Sequence, residues 1–406
     1  MAEETAVNRE CINRIRKEIL DRMDLSRDIS DEELERMICK QVSEEARDRY
    51  ISLEDRNRIA KGVFNSLRKL DFIQDLLEDE EITEIMINGP DLIFTEKAGL
   101  VIKQELQFEN REKLEDMIQQ IVSSCNRTVN ERDPIADARL PDGCRVNIVL
   151  SPPAMDGPVV TIRRFPKQEI TMRELIRYGT LTEEAASFLR FAVERGSNIF
   201  VSGGTSSGKT TMLNVLSGFI PQSLRVICIE DSAELRITHI PNLIRLETRN
   251  STAEGCEDIT IRDLIRCSLR MRPDRIIIGE VRGAEALDML QAFNTGHDGS
   301  MSTGHANTAT DMLLRLEAMV LMGTKLPVSA IRRQISTGID LMVHLSRLRN
   351  GQRRVEEILE IVGMRGEEIE TNTLFALIQG EDGEPILKKV NAPKRTGRGF
   401  LSKRVV

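Results

Sequence analysis

The sequence predicts an α/β fold built around a phosphate-binding loop, preceded by a smaller α+β domain and a helical N-terminal extension. The first observation is the stretch NIFVSGGTSSGKTTMLNVLS, residues 198–217. It reads as a short apolar strand, a glycine-rich turn and a helix with Met212, Leu213 and Leu216 on its buried side. The second is an alternation downstream of that stretch: the candidate strands RVICIE, LIRLET, RIIIGE and GSMSTGH take turns with helical segments, which makes a mainly parallel sheet covered by helices on both faces. The third lies upstream, between Glu81 and Phe165, where short strand-like runs and turn residues surround one amphipathic helix.

Taken in order, residues 1–70 are charged and helical, with Ile12, Ile15, Ile19 and Met23 at helical spacing. Helices of this kind need something to lie against, either their own domain as a cap or a partner as a docking module. Residues 71–168 form the α+β domain. Its strands EITEIMIN, DLIFTE and LVIKQEL are divided by GPD and KAG turns, and Leu114, Met117, Ile118, Ile121 and Val122 mark one helix face before RVNIVL and VVTIRRF return to strand. Residues 169–178 read as a linker leading into a helix, and residues 179–380 as the α/β domain. In that domain the pattern marks helices near Lys209–Gly218, Thr260–Met271, Gly283–Asn294 and Ala309–Val320, and Asn350-Gly351 signals a hairpin. Residues 381–406 are a basic tail, either solvated or in contact with a partner or an anionic lipid surface.

The turn itself, Gly203 to Thr210, spells G-x-x-x-x-G-K-T. Gly203, Gly204 and Gly208 let the backbone curl so that N–H groups point inward at a phosphate, and the helix N-terminus adds positive dipole. Lys209 meets the β and γ phosphates as a point charge, and the Thr210 hydroxyl holds Mg²⁺. The alternative is a chance glycine-rich turn, which the strand and helix flanks argue against. Downstream, RVICIE ends in Glu230-Asp231, RIIIGE ends in Glu280, and His297 and His305 bracket the next strand. Glu280 is placed to help hold Mg²⁺ through water, and Glu230 to orient the attacking water as general base. Either acid alone reads equally as a capping or salt-bridged carboxylate. Both, each ending an apolar strand downstream of the cradle, point to catalysis.

Composition removes other classes. The 406 residues are 40% hydrophobic and 30% charged, enough for two or three domains with a large core. Only 3% are aromatic and the net charge is −8, which disfavours nucleic acid as a partner, since such surfaces need base-stacking rings and positive charge. The seven cysteines include no C-x-x-C pair, so no zinc site is expected, and their odd, scattered placement suits a reducing cytoplasm. No run approaches the length of a membrane span and no secretory signal precedes EETAVNRE, so a cytoplasmic protein is expected, at most docked on a membrane through partners.

The segments GGTSSGKTT, CIEDSAEL, LRMRPDRIIIGEVRGAEALDMLQAFNTGHDGSMSTGHAN and DARLPDGCRVNIVLSPPAMDGPVVTIRRF together resemble the secretion superfamily of ATPases. Within it they are most similar to the CpaF type, which powers tight-adherence (Flp) pili and related type II and type IV secretion machines. The resemblance implies a RecA-like C-terminal domain joined to the α+β domain, a homohexameric ring with ATP between the two domains, and inner-membrane platform proteins as partners. By the same resemblance the Walker A loop is Gly203 to Thr211, so Thr205, Ser206, Ser207 and Thr211 join the nucleotide contacts. Glu230 is the catalytic carboxylate, Walker B ends at Glu280, and the histidine box holds His297 and His305, as phosphate sensors or interface residues rather than core histidines. Arg145, Arg163 and Arg164 fall on strands whose arginines reach the nucleotide phosphates in relatives; otherwise they pair with Asp137 or Asp142. Two departures stand out: Ser206 where many relatives have Gly, and Gly304 where a larger apolar residue is frequent. The implied function is a motor that turns ATP into ADP to drive a pilus or secretion machine. A conjugation or DNA-transfer ATPase shares the fold, and a RecA-like nucleic-acid motor is a more distant alternative.

Overall fold

A computed structural model describes residues 2–23, 29–48, 51–97, 99–125, 127–164, 170–249, 257–348, 350–380 and 385–395. The chain divides into two compact units, Met1–Lys167 and Gln168–Val406.

The first unit opens with three helices, α1 (Ala2–Arg22), α2 (Asp31–Asp48) and α3 (Leu53–Arg68). The surface these amphipathic helices lie against is one another: Ile15, Ile19, Leu34, Ile38, Ile59 and Val63 form a small core of their own. Gly62 lets α1 and α3 approach closely, since a Cβ there would come within 2.6 Å of Ile12 Cδ1. A short helix, α4 (Ile73–Glu78), comes next in the chain, and Lys61 bridges to its Asp75 and Glu78 at 2.9 and 2.7 Å.

Beyond it lie β1 (Ile82–Asn88), β2 (Leu92–Lys97), β3 (Leu100–Lys103), α5 (Arg111–Ser124), β4 (Ile135–Arg139), β5 (Arg145–Val149) and β6 (Val159–Arg163). Among the described residues these strands make an antiparallel sheet in the order β3-β2-β1-β6-β5-β4. Alternation does the sorting: Ile85, Ile87, Val146, Ile148, Val160 and Ile162 face the apolar stripe of α5, and their polar neighbours face away. Strand β4 is not marked by the hydrophobic pattern, because as an edge strand it buries little but Ala136.

The second unit contains α6 (Met172–Arg177), α7 (Glu183–Glu194), β7 (Ile199–Gly203), α8 (Lys209–Ser217), β8 (Val226–Glu230), β9 (Leu243–Glu247) and α9 (Ile261–Ser268). It continues with β10 (Arg275–Ile278), α10 (Glu285–Asn294), β11 (Met301–His305), α11 (Ala309–Gly323) and α12 (Val328–Gly338), then β12 (Leu341–Arg347), β13 (Arg353–Arg365), β14 (Glu368–Gln379) and β15 (Pro385–Lys389). The sheet order is β15-β14-β13-β12-β7-β11-β10-β8-β9, with β12 through β9 parallel and β13–β15 added antiparallel. Along β7, Ile199 and Val201 join the core with α7 and α8, while Phe200 joins the opposite core with α9–α12. The P-loop strand is therefore buried on both faces and flanked on both sides, which accounts for its unbroken apolar character.

Of the stretch expected as a linker, residue 169 lies outside the described residues and Met172–Arg177 is helical, fixed by a capping box between Thr171 and Glu174. In the expected basic tail, residues 381–384 and 396–406 lie outside the described residues, whereas Pro385–Lys389 is a strand rather than solvated chain. The segment after it is anchored on buried acids: Glu360 accepts from the backbone N–H groups of Lys394 and Arg395, and Arg395 Nη1 lies 2.8 Å from Asp340 Oδ1. Asp340 is 1% exposed and its other oxygen accepts the Asn198 N–H at 2.8 Å, so Arg395→Ala removes the neutralising cation from a buried carboxylate. The expected cost is about 3 kcal/mol, read as a fall of roughly 6–12 °C in Tm by calorimetry. No helix among the described residues is long and apolar enough to cross a membrane.

Candidate functional site

The cradle forms where β7 ends in the middle of the sheet. Gly203 pairs with His305 on β11 and with Leu345 on β12, and a Cβ at Gly203 would collide with the Leu345 carbonyl and with Ser207 Oγ. Gly208, at φ +97°, is the N-cap of α8 and offers no side chain to its first-turn N–H groups. Those donors, with Thr210 and Thr211 opening the helix, are left for a ligand. Ser207 Oγ is buried without a hydrogen-bond partner, and Ser206 holds φ +57°.

Lys209 is 7% exposed, and its ammonium donates to the Gly204 carbonyl at 2.9 Å and meets His305 Nδ1 at 3.2 Å. An ammonium only donates, so His305 Nδ1 is the acceptor and the ring proton sits on Nε2. That Nε2 lies 2.9 Å from Glu280 Oε1. The other Glu280 oxygen takes Arg282 Nη2 at 2.6 Å and Nε at 3.0 Å, and Arg282 Nη1 is 3.8 Å from Asp231. Lysine, histidine, glutamate and arginine thus stand in one row along the carboxyl ends of three strands, with His305 and Glu280 in close approach but not aligned as a hydrogen bond. Burial pushes the Lys209 ammonium below the usual lysine range, opposed by Glu280. Burial and then the Lys209 charge push the His305 imidazole down, which favours the neutral tautomer the geometry requires.

Glu230 closes β8 and is 4% exposed. One oxygen accepts the backbone N–H groups of Glu234 and Leu235 at 2.8 and 2.9 Å, and Cys228 Sγ lies 3.5 Å from the other. Burial raises its carboxyl above the usual glutamate range, against the pull of the two N–H groups. It therefore caps its own loop, as one reading of the sequence has it, while its pKa moves toward that of a working base.

Within the second unit, His297 stands away from the cradle. His297 precedes β11, at the edge where the parallel strands begin, so the length of a strand, about 16 Å, separates it from His305. Its Nδ1 stands 3.0 Å from the Ala292 carbonyl at the end of α10, a local contact that leaves the expected interface role as the alternative to the phosphates. Arg145, Arg163 and Arg164 belong to the first unit. Arg164 donates to the carbonyls of Asp79 and Ile82 and so ties its own unit together. Asp137 accepts from Asn147, and Asp142 from the backbone of Cys144. Arg145 sits directly opposite Arg163 across β5 and β6, and Arg139 directly opposite Arg145, forming a three-arginine ladder that continues into Glu84.

Three residues near the loop were not marked by the sequence. Arg353 Nε donates to the Ser206 carbonyl at 3.0 Å, Arg315 lines the cavity beside His305, and His344 Nδ1 lies 2.9 Å from Ser202 Oγ beneath the cradle. The Asn350-Gly351 hairpin signal places Arg353 at the start of a strand but says nothing of which loop it faces.

A cavity of about 450 Å³ opens over Gly204, Thr205, His305, Asn307, Leu314 and Arg315, within the size range of small-molecule sites. The residues fit a nucleotide with its metal ion: a helix N-terminus with uncapped donors, an orphaned buried hydroxyl, and a lysine whose charge is destabilised by burial until an anion arrives.

A family model described as Type II/IV secretion system protein matches residues 66–372. The chain is 33% identical over 298 residues to conjugal transfer protein TrbB of Rhizobium radiobacter, covering 73% of this chain and 88% of that one. It is 33% identical over 310 residues to type IV secretion system protein PtlH of Bordetella pertussis, covering 70% and 91%. Among solved structures it is similar to the ATPase DotB of Legionella pneumophila, with TM-score 0.51 and 19% identity over 71% of this chain and 79% of that one, a likeness of fold.

Proposed function

The chain belongs to the type II/IV secretion system protein family, and on that premise we propose that it is an ATP-hydrolysing motor working as a ring of six copies on a membrane platform. The observation that carries this reading is the row from Lys209 through His305 to Glu280 at the mouth of the P-loop, which ties the phosphate-binding group to an acid placed for metal and water. Lys209 and the first-turn N–H groups of α8 bind the phosphates, Thr210 and Glu280 are the residues that would hold Mg²⁺, and Glu230 takes the proton of the attacking water. Bound Mg²⁺ would supply charge neutralisation at the phosphates. His305 keeps Lys209 and Glu280 in register, and the arginine ladder is a second anion-recognising feature, on the other unit. The cytoplasm is the proposed location, with the membrane reached through partners.

The motif pattern favours a tight-adherence pilus as the machine served. A second reading, conjugal or type IV secretion, is favoured by the near full-length match to TrbB and PtlH. One experiment addresses both: phosphate release with and without duplex DNA, alongside light scattering of the same samples. We expect hydrolysis that DNA does not stimulate, and a particle near six chains with Mg²⁺ and a non-hydrolysable ATP analogue. No hydrolysis and a strict monomer would overturn the motor reading. Stimulation by DNA that survives raised salt would move the assignment to a nucleic-acid motor.

A further inference from the structure

We propose that Arg353 is a positioning residue for the phosphate loop, holding the Ser206–Ser207 peptide plane in the orientation that nucleotide binding needs. The inference rests on the nucleotide-binding reading of the P-loop. Ser206 has φ +57°, a left-handed conformation that glycine adopts freely and an L residue does not. Nothing in a serine side chain favours that state, and the loop's own bond from the Ser207 N–H to the Gly204 carbonyl is long, at 3.4 Å, which leaves a role for a contact from outside the loop.

Arg353 is placed to do so. Strand β12 pairs with β7, setting Leu345 beside Gly203, and the β12–β13 hairpin then sets Arg353 opposite Arg347. That route brings Arg353 to a loop 147 residues away, where its Nε donates to the Ser206 carbonyl at 3.0 Å. Its stem lies along the loop as well, for a Cβ on Gly208 would come 3.3 Å from Arg353 Cδ. In a trans peptide the carbonyl and the following N–H point to opposite sides. Turning the Ser206 carbonyl toward Arg353 therefore turns the Ser207 N–H across the cradle, where its only partner among the described residues is the Gly204 carbonyl at a long 3.4 Å. A donor so weakly engaged is ready for a phosphate oxygen. Arg353 is itself exposed, so its contact with the loop adds little to the stability of the fold.

The test is a double-mutant cycle on the full chain, reading the affinity of a fluorescent ATP analogue with Mg²⁺, together with Tm. Arg353→Ala is expected to weaken binding about tenfold at unchanged Tm, the scale of one charge-assisted hydrogen bond. In a Ser206→Gly background the same change is expected to cost less than about threefold, because glycine holds the left-handed state without help. Wild-type affinity in Arg353→Ala, or an equal loss in both backgrounds, overturns the proposal; the second result would make Arg353 a direct ligand contact instead. Lys209→Ala serves as the reference: if it binds the analogue as wild type does, the nucleotide reading itself fails and takes the Arg353 proposal down with it.

Discussion

Lys209→Ala is expected to abolish measurable hydrolysis and to weaken nucleotide binding about a hundredfold, while leaving the ligand-free protein at least as stable as wild type. The loss comes from position: the ammonium is the buried cation of the cradle, and removing a comparable preorganised donor costs about 10²–10³ in rate in other enzymes. The stability half comes from the direction of its pKa. A lysine whose folded-state pKa lies below its unfolded value costs folding free energy while it is charged, and that cost fades as pH rises through the unfolded value. At neutral pH the alanine variant escapes the cost. Calorimetric titration with ATP and a thermal scan of the free protein check both halves, and a destabilised free variant would mean that Lys209 is a structural brace rather than a ligand-binding charge.

Glu280→Gln is expected to separate binding from turnover. The amide keeps the shape that faces His305 but loses the charge that Arg282 grips through two hydrogen bonds. Affinity for ADP should change by less than about threefold, while kcat falls about a hundredfold, within the range for loss of an acid–base or metal-shell group. The same series gives a signature for Glu230. Because burial raises its carboxyl, activity should be present above that raised pKa and be lost as pH falls through it, so the acid limb of the rate profile lies above the usual glutamate range. Equal kcat in wild type and Glu280→Gln would remove Glu280 from the chemistry.

The features legible in the sequence are local. The strand ends at Gly203, Glu230 and Ile278 are marked by apolar runs, His305 by its glycine-rich segment, and the parallel order of β7, β11 and β10 brings Lys209, His305 and Glu280 together. The row from His305 to Arg282 is partly legible too, since Glu280 and Arg282 are two residues apart. The two histidines of one glycine-rich segment look like a pair in the sequence, but the strand between them carries them to its opposite ends. Arg353 escapes notice because its meeting with Ser206 depends on the register of two strand pairings, which no single segment encodes. Strand β4 escapes because an edge strand with one buried alanine has almost no period to detect.

The ladder of Arg139, Arg145 and Arg163 places like charges on neighbouring strands, at a cross-strand spacing of about 4.5–5.5 Å. The screening length of physiological salt is about 8 Å, longer than that spacing. Dissolved monovalent ions therefore quench the mutual repulsion only in part, and the protein supplies its own counter-charge at the end of the ladder, where Glu84 lies opposite Arg163.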